Sequence, residues 1–213
     1  MRYTIDDVRR ACASLPEPVL HLITDVEQTR PAAILIPVID VGGEAAVVAT
    51  KRAADMRHHR GEWVFPGGRV DPEDGTTANA ARREAEEELG IPAHRVDIVG
   101  QLDSHGPIHT GYIVDVFVGV VDGEVELRPD GREVSEVMVI ALSDLLDPAR
   151  NFRGPVLRDH DPTPGLDVEG RTRHVDLDDL RFYVIGPDEF LWGLQGDVVF
   201  NLLHHLTGGE HRS

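Results

Sequence analysis

Glu84, Glu87 and Glu88 have a spacing that could bind a cation. In a helix, residues at i, i+3 and i+4 share one face, so these three carboxylates repel one another unless a positive group lies among them. Mg²⁺ and Mn²⁺ prefer oxygen ligands and often bridge protein carboxylates to substrate phosphates. The alternative is an acidic helix face exposed to solvent, in which Arg82 and Arg83 are ordinary intrahelical partners.

The sequence before these glutamates favours the metal interpretation. The turn Phe65-Pro66-Gly67-Gly68 contains two glycines, which let the backbone approach a ligand without a Cβ in the way. An acidic loop follows the turn, and a helix that only faces solvent requires neither feature. We therefore interpret the region as a cradle for a divalent cation and a diphosphate.

The region Gly68–Ile91 resembles the Nudix box, usually written G-x5-E-x7-R-E-U-x-E-E-x-G-U, in which U is an aliphatic residue. The second half of the box is complete as R-E-A-E-E-E-L-G-I, from Arg83 to Ile91. The first half differs in length, because eight residues separate Asp74 from Arg83 and nine separate Glu73 from Arg83. The resemblance leaves open which of Asp74 and Glu73 fills the first acidic position.

This resemblance implies a Mg²⁺- or Mn²⁺-dependent hydrolase that cleaves a diphosphate linkage. The metal neutralises charge on the phosphate oxygens and lowers the pKa of a water that attacks one phosphorus in line. Arg83 is expected to orient a helix carboxylate, and the general base is one of the helix glutamates or Glu133. The implied metal ligands are Glu84, Glu87, Glu88 and Asp74.

A second motif narrows the resemblance to coenzyme A diphosphatases, whose pattern before the box is L-L-T-x-R-[SA]-x3-R-x3-G-x3-F-P-G-G. Every specified position matches from Thr50 onward, whereas Val48 and Ala49 replace the two leucines. Guanidinium groups bind phosphate oxygens bidentately, which makes the arginines of the motif candidates for phosphate contacts; the alternative is surface arginines that pair with local acids. The candidate substrate-binding residues are Arg52, Arg57, Gly67 and Gly68.

Two further segments bear on the substrate. The stretch Glu133–Val137 resembles E-V-x-E-V of the same enzymes, and Trp192–Gly196 resembles the start of a W-G-x-T-A helix, except that Gln195 and Gly196 replace Thr and Ala. The resemblance implies hydrolysis of coenzyme A or acyl-coenzyme A to a 4′-phosphopantetheine species and adenosine 3′,5′-bisphosphate. The alternatives are an ADP-ribose or other nucleoside-diphosphate-X diphosphatase and a non-catalytic Nudix-fold regulator that binds nucleotides.

Residue patterns predict the elements that position these groups. A helix begins at Thr76 or Thr77 and ends at Leu89, because Gly90 and Pro92 stop it. Strands are predicted at 32–40, 44–50, 96–102, 112–121, 125–127, 137–141 and 181–185, and a carboxy-terminal helix at 190–206. The resemblance implies an α/β or α+β fold, the Nudix α/β/α sandwich with a mixed sheet. We expect a single domain over residues 1–213, with a helical extension at 1–30 and a loop insertion at 147–179.

Composition limits the class of partner. The 213 residues include 21 Lys and Arg against 38 Asp and Glu, and the net charge of −17 argues against nucleic acid or an anionic membrane. The single cysteine, Cys12, excludes an intramolecular disulfide. The amino terminus lacks the apolar run of a signal peptide, so we expect a cytoplasmic protein. A small nucleoside diphosphate derivative is the expected partner, and a homodimer through the amino-terminal helix or the insertion is an open expectation.

Overall fold

The structure, a computed structural model, describes residues 2–22, 29–54, 61–106, 111–154 and 180–209. Two sheets and four α-helices make up most of this part of the chain. The elements in chain order are α1 (Ile5–Cys12), β1 (Leu20–Leu22), β2 (Arg30–Val41), β3 (Glu44–Arg52), β4 (Trp63–Val64), β5 (Gly67–Arg69), α2 (Thr77–Leu89), β6 (Val96–Gly106), β7 (Tyr112–Val121), β8 (Val134–Ala141), α3 (Leu142–Leu145), β9 (Asn151–Gly154), β10 (Leu180–Gly186), β11 (Glu189–Trp192) and α4 (Leu194–Leu206).

The larger sheet has eight strands of mixed direction. At its centre β2 and β7 run parallel, and β2 also pairs antiparallel with β3 and β5. Strand β6 pairs antiparallel with β7 and parallel with β1, while β3 pairs antiparallel with β4 and β8. The residues of β2 from Ala32 to Val38 are all buried, because both faces of the sheet are covered.

Helix α2 covers one face of this sheet. Thr76 is the N-cap of the helix, and its hydroxyl accepts a hydrogen bond from the Asn79 N–H. The helix ends at Gly90, whose φ of 69° is a conformation that favours glycine. Alanine side chains on the inward face let the helix approach the sheet closely. The helix therefore begins and ends where the sequence predicts, and it presents its remaining faces to the site described below.

The other face of the sheet packs against α1, α3, α4 and a small antiparallel sheet of β9, β10 and β11. Tyr183 and Leu191 from the small sheet are buried in this core. On the opposite side of the small sheet the Phe182 ring stacks on Phe152 and Trp192, with centroids 5.0 Å and 6.1 Å apart. Cross-strand aromatic pairs of this kind stabilise a sheet made of short strands. Helices on both sides of a mixed sheet confirm the predicted fold class.

Four segments differ from the predicted elements. The first is the helix predicted at 190–206: its initial residues belong to the strand β11, and α4 begins only at Leu194. The segment 1–30 contains the helix α1, but also β1, which extends the large sheet beside β6. The segment 147–179 begins with a 3₁₀ turn and β9, which pairs with β10, whereas residues 155–179 lie outside the described part. Residues 125–127 form no strand, because the backbone that follows them bonds to the end of α2: the Arg128 N–H donates to Leu89 O at 2.8 Å.

No helix within the described ranges is long and apolar enough to cross a membrane.

Candidate active site

The candidate site lies where α2 faces the end of β3, the turn before β5 and the loop before β8. Glu88 is the centre of this arrangement: Glu84, Glu133, Arg52 and the backbone of Gly67 all lie close enough to change its pKa. Four separate segments of chain thus bring predicted residues together around one buried carboxylate. The predicted residue Arg57 lies outside the described residues.

Glu88 is 5% exposed, which is unusual for a glutamate on a helix. Its burial raises the pKa to about 8 from an ordinary value of 4.5, and the neighbouring charge of Glu84 adds to this. Arg52 and the Gly67 backbone lower the pKa but do not cancel the effect of burial. Without a cation, this carboxylate therefore holds a proton near neutral pH.

Glu84 lies against the glycine turn. Its pKa is raised mainly by burial, and repulsion from Glu87 and Glu133 contributes. A Cβ atom on Gly68 would lie 2.3 Å from Glu84 Oε1, far closer than real Cβ contacts. The absence of a side chain at Gly68 therefore provides the space that the Glu84 carboxylate occupies.

Arg83 connects the acidic loop to the helix glutamates. Its Nε and Nη2 bind the two oxygens of Asp74 at 2.9 Å and 3.1 Å, and its Nη1 binds Glu84 Oε1 at 2.9 Å and Glu87 Oε2 at 3.1 Å. Nη2 also donates to the backbone oxygen of Arg69 at 2.9 Å. One guanidinium thus fixes the loop and orients two of the predicted ligands, as a planar fork of donors permits.

Both carboxylate oxygens of Asp74 accept hydrogen bonds from Arg83. The Asp74 side chain is 6% exposed, and Oδ2 also accepts a hydrogen bond from the Asp71 N–H at 2.8 Å. The hydrogen bonds from Arg83 hold the pKa of Asp74 below its ordinary value. The structure therefore places Asp74 as a partner of Arg83, which also binds Glu84, while Glu73 is exposed.

Glu133 is held in place by a residue that the sequence analysis did not single out. Asp130 Oδ1 accepts hydrogen bonds from the backbone N–H groups of Arg132, Glu133 and Val134, at 3.1 Å, 3.0 Å and 2.9 Å. An aspartate that binds the backbone two to four residues ahead is a local turn device, and the Asp130-Gly131 pair is its sequence signal. Asp130 thus orients the loop that carries Glu133 towards α2.

Arg52 ends β3 beside Glu88. Its Nε is buried and makes no hydrogen bond within the described residues. A buried guanidinium nitrogen without an acceptor is costly, because the group has left water without replacing its hydrogen bonds. Arg52 therefore has a donor available for an anionic ligand at this position.

The carboxylates fit a divalent cation by chemistry, but not in their present positions. Among the described residues, no group of three or more His, Cys, Asp or Glu side chains is arranged to hold a metal ion. Glu84 and Glu87 instead bind Arg83. The raised pKa values of Glu84 and Glu88 are a cost of placing carboxylates together that a cation would remove. A cation at this site would therefore compete with Arg83 for the carboxylate oxygens of Glu84 and Glu87.

Comparisons with known proteins concern the family of the chain. Residues 28–160 match the family model of the NUDIX domain. A protein named uncharacterized Nudix hydrolase NudL from Yersinia pestis is 30% identical over 211 residues, which cover 97% of this chain and 96% of the relative. A protein of the same name from Yersinia pseudotuberculosis has the same identity and coverage.

The fold comparison is independent of close sequence similarity. The crystal structure of a MutT/nudix family protein from Enterococcus faecalis aligns with a TM-score of 0.55 and 11% identity, covering 97% of this chain and 70% of that chain. At this identity the alignment shows the fold alone. The family model, however, matches more than half of the chain, and the NudL relatives match it almost end to end. The chain therefore belongs to the Nudix family, as a hydrolase of diphosphate linkages in a family that generally uses divalent metal ions.

Proposed function

We propose that this enzyme is a Mg²⁺- or Mn²⁺-dependent diphosphatase that acts on coenzyme A or acyl-coenzyme A. The products are a 4′-phosphopantetheine species and adenosine 3′,5′-bisphosphate. The observation that carries the reaction is the group formed by buried Glu88, half-buried Glu84 and exposed Glu133 beside the unpartnered Nε of Arg52. Carboxylates for a cation and a free donor for an anion stand side by side, as a metal-bridged diphosphate requires.

The substrate class is supported by the motif that contains Arg52. The pattern from Thr50 to Gly68 matches that of coenzyme A diphosphatases, and the structure brings Arg52, Gly67 and Gly68 from the two ends of that motif to the same carboxylates. Residues from both ends of the motif therefore lie close together in the fold. An anionic diphosphate reaches a protein of net charge −17 only through such local cations.

The proposed metal ligands are Glu84, Glu87 and Glu88. When bound, a divalent cation supplies neutralisation of charge on the diphosphate oxygens and makes water a better nucleophile. Arg83 stays on Asp74 in this proposal and orients whichever glutamate does not turn towards the metal. Asp74 is thereby assigned a positioning role rather than a place among the ligands.

The remaining residues act on the substrate and the water. Arg52 donates a hydrogen bond from Nε to a phosphate oxygen, which removes the cost of its unpartnered nitrogen. Glu133 accepts the proton of the water that attacks phosphorus, and the bond from phosphorus to the bridging oxygen breaks as the new bond forms. Asp130 keeps the Glu133 backbone in place during this step.

The experiment is product-resolved hydrolysis of coenzyme A, acetyl-coenzyme A, ADP-ribose, NADH and a dinucleoside polyphosphate, with Mg²⁺, with Mn²⁺ and with chelator. We expect metal-dependent adenosine 3′,5′-bisphosphate from coenzyme A, well above turnover of the other compounds. Glu88→Gln is the matched control, because it keeps the volume of the side chain and removes its charge. Preference for ADP-ribose would refute the coenzyme A substrate and keep the reaction, whereas no turnover of any compound would refute the proposed activity.

A further inference from the structure

A side chain of the carboxy-terminal helix reaches the turn of the active site. Gln195, in the first turn of α4, accepts a hydrogen bond from the Phe65 N–H through Oε1 at 3.1 Å, although the two residues are 130 positions apart. The β3–β4 ladder pairs Thr50 with Val64 and does not extend to Phe65. Phe65 is 2% exposed, so its N–H is removed from water and depends on this acceptor.

The position of Gln195 is fixed by glycines on either side. Gly193 precedes the helix with a φ of 59°, a conformation that favours glycine, and lets the chain turn from β11 into α4. A Cβ on Gly196 would lie 2.5 Å from the Arg181 backbone oxygen, so the first turn of α4 packs directly on β10. Gln195 therefore extends from a backbone that has little room to move.

The turn transmits this contact to a proposed metal ligand. Pro66, next to Phe65, accepts a hydrogen bond from the Leu35 N–H at 2.9 Å through its backbone oxygen. The backbone of the following residue, Gly67, lies close enough to the Glu88 carboxylate to lower its pKa. The next residue, Gly68, lies against Glu84, because a Cβ there would be 2.3 Å from Glu84 Oε1. The N–H that Gln195 holds is thus only a few residues from the backbone that packs on both glutamates.

We propose that Gln195 is a positioning residue for the metal-binding helix: it fixes the turn from Phe65 to Gly68, against which the Glu84 carboxylate packs. The effects on turnover and on cation binding rest on the proposed function, whereas the effect on the turn does not. This position is also one at which the sequence departs from the W-G-x-T-A pattern. The longer glutamine side chain spans the distance from α4 to the turn.

Three variants test the proposal. Gln195→Met keeps the length and volume of the side chain and removes the acceptor, while Gln195→Glu keeps an oxygen at the same distance. Asn201→Leu is the matched control, because it removes a hydrogen bond of another α4 side-chain amide, from Nδ2 to Asp103 at 3.5 Å, away from the turn. Thermal unfolding of all variants separates an effect on the site from a general loss of stability.

The readouts are Mn²⁺ affinity by calorimetry, amide hydrogen exchange over residues 61–70, and kcat and KM. Residues that orient metal ligands typically change metal affinity or activity by about 10- to 100-fold when replaced. We expect Gln195→Met to weaken Mn²⁺ binding and lower kcat by about tenfold, at the low end of that range, and to increase exchange in this segment. Gln195→Glu should restore all three, and Asn201→Leu should change none of them.

Two outcomes overturn the proposal. One is a Mn²⁺ affinity of Gln195→Met equal to that of Asn201→Leu, and the other is a failure of Gln195→Glu to restore the loss. Absence of diphosphatase activity in the unaltered protein would refute the proposed function but not this inference. In that case hydrogen exchange over residues 61–70 still decides it, because it requires neither turnover nor a bound cation.

Discussion

Gly68→Ala should separate folding from catalysis. The added Cβ would lie 2.3 Å from Oε1 and 2.6 Å from Cδ of Glu84. Both atoms belong to the end of a flexible side chain, and Gly68 does not have a positive φ. The fold can therefore accept the methyl group if the Glu84 carboxylate moves.

The size of the effect follows from that movement. An ordinary contact requires about 3.4 Å or more, so the carboxylate must shift by about 1 Å. A 1 Å misplacement of a catalytic group can cost about 100-fold in rate, and we expect this loss in kcat. The free energy of unfolding should change by less than about 1 kcal/mol, because no backbone atom has to move.

Gly67→Ala is the matched control for this prediction. Its Cβ would lie 2.4 Å from the Ala33 backbone oxygen and 2.9 Å from the Ile34 Cα, inside the pairing of β5 with β2. Backbone atoms cannot turn aside, so this variant should lose about 1–3 kcal/mol of stability. Urea unfolding and metal-dependent diphosphatase assays on both variants provide the comparison. Activity of Gly68→Ala within about threefold of the unaltered enzyme would refute the reasoning, because Glu84 would then not need the space over Gly68.

Three further predictions concern single residues of the site. The pKa of Glu88 is about 8 in the metal-free fold, above its ordinary value of 4.5. The folded protein therefore keeps a proton on Glu88 that the unfolded chain loses at lower pH. The stability that this gives in acid is lost as the pH rises through 8. The melting temperature of Glu88→Gln should therefore exceed that of the unaltered protein by an amount that grows from pH 5 to pH 8, and a constant difference would contradict this. Asp74→Asn should cost about 1–3 kcal/mol in urea unfolding, because it removes the anion that Arg83 binds through two nitrogens. Weaker Mn²⁺ binding without that loss would instead identify Asp74 as a ligand. Arg52→Met should raise KM by about tenfold, since one charged hydrogen bond to phosphate is lost; an unchanged KM would exclude Arg52 from the substrate contacts.

Local signals predicted the catalytic helix well. A threonine before the helix, a glycine after it and alanines along its inward face are all within a few residues of the structure they determine. The spacing of Glu84, Glu87 and Glu88 is likewise a property of the helix itself. These parts of the site could be predicted because they depend on contacts at short sequence separation.

Contacts between distant segments could not be predicted in the same way. The hydrogen bond from Phe65 to Gln195 spans 130 residues. The pairing of β9 with β10 joins two strands whose intervening sequence has no regular spacing of hydrophobic residues. The interaction of Asp74 with Arg83 was missed for a different reason. An aspartate in an acidic loop is equally suited to a metal or to a guanidinium, and only the folded loop decides which of the two it meets.

The position of Arg83 has a consequence for the order in which the chain folds and binds metal. The mutual repulsion of Glu84, Glu87 and Glu88 on one helix would oppose folding. The permanent charge of Arg83 and the proton on Glu88 offset part of that repulsion. The chain can therefore complete its fold before it encounters any metal, unlike small domains whose folding depends on one. A divalent cation that reaches this folded site then competes with the Arg83 guanidinium for the carboxylate oxygens of Glu84 and Glu87.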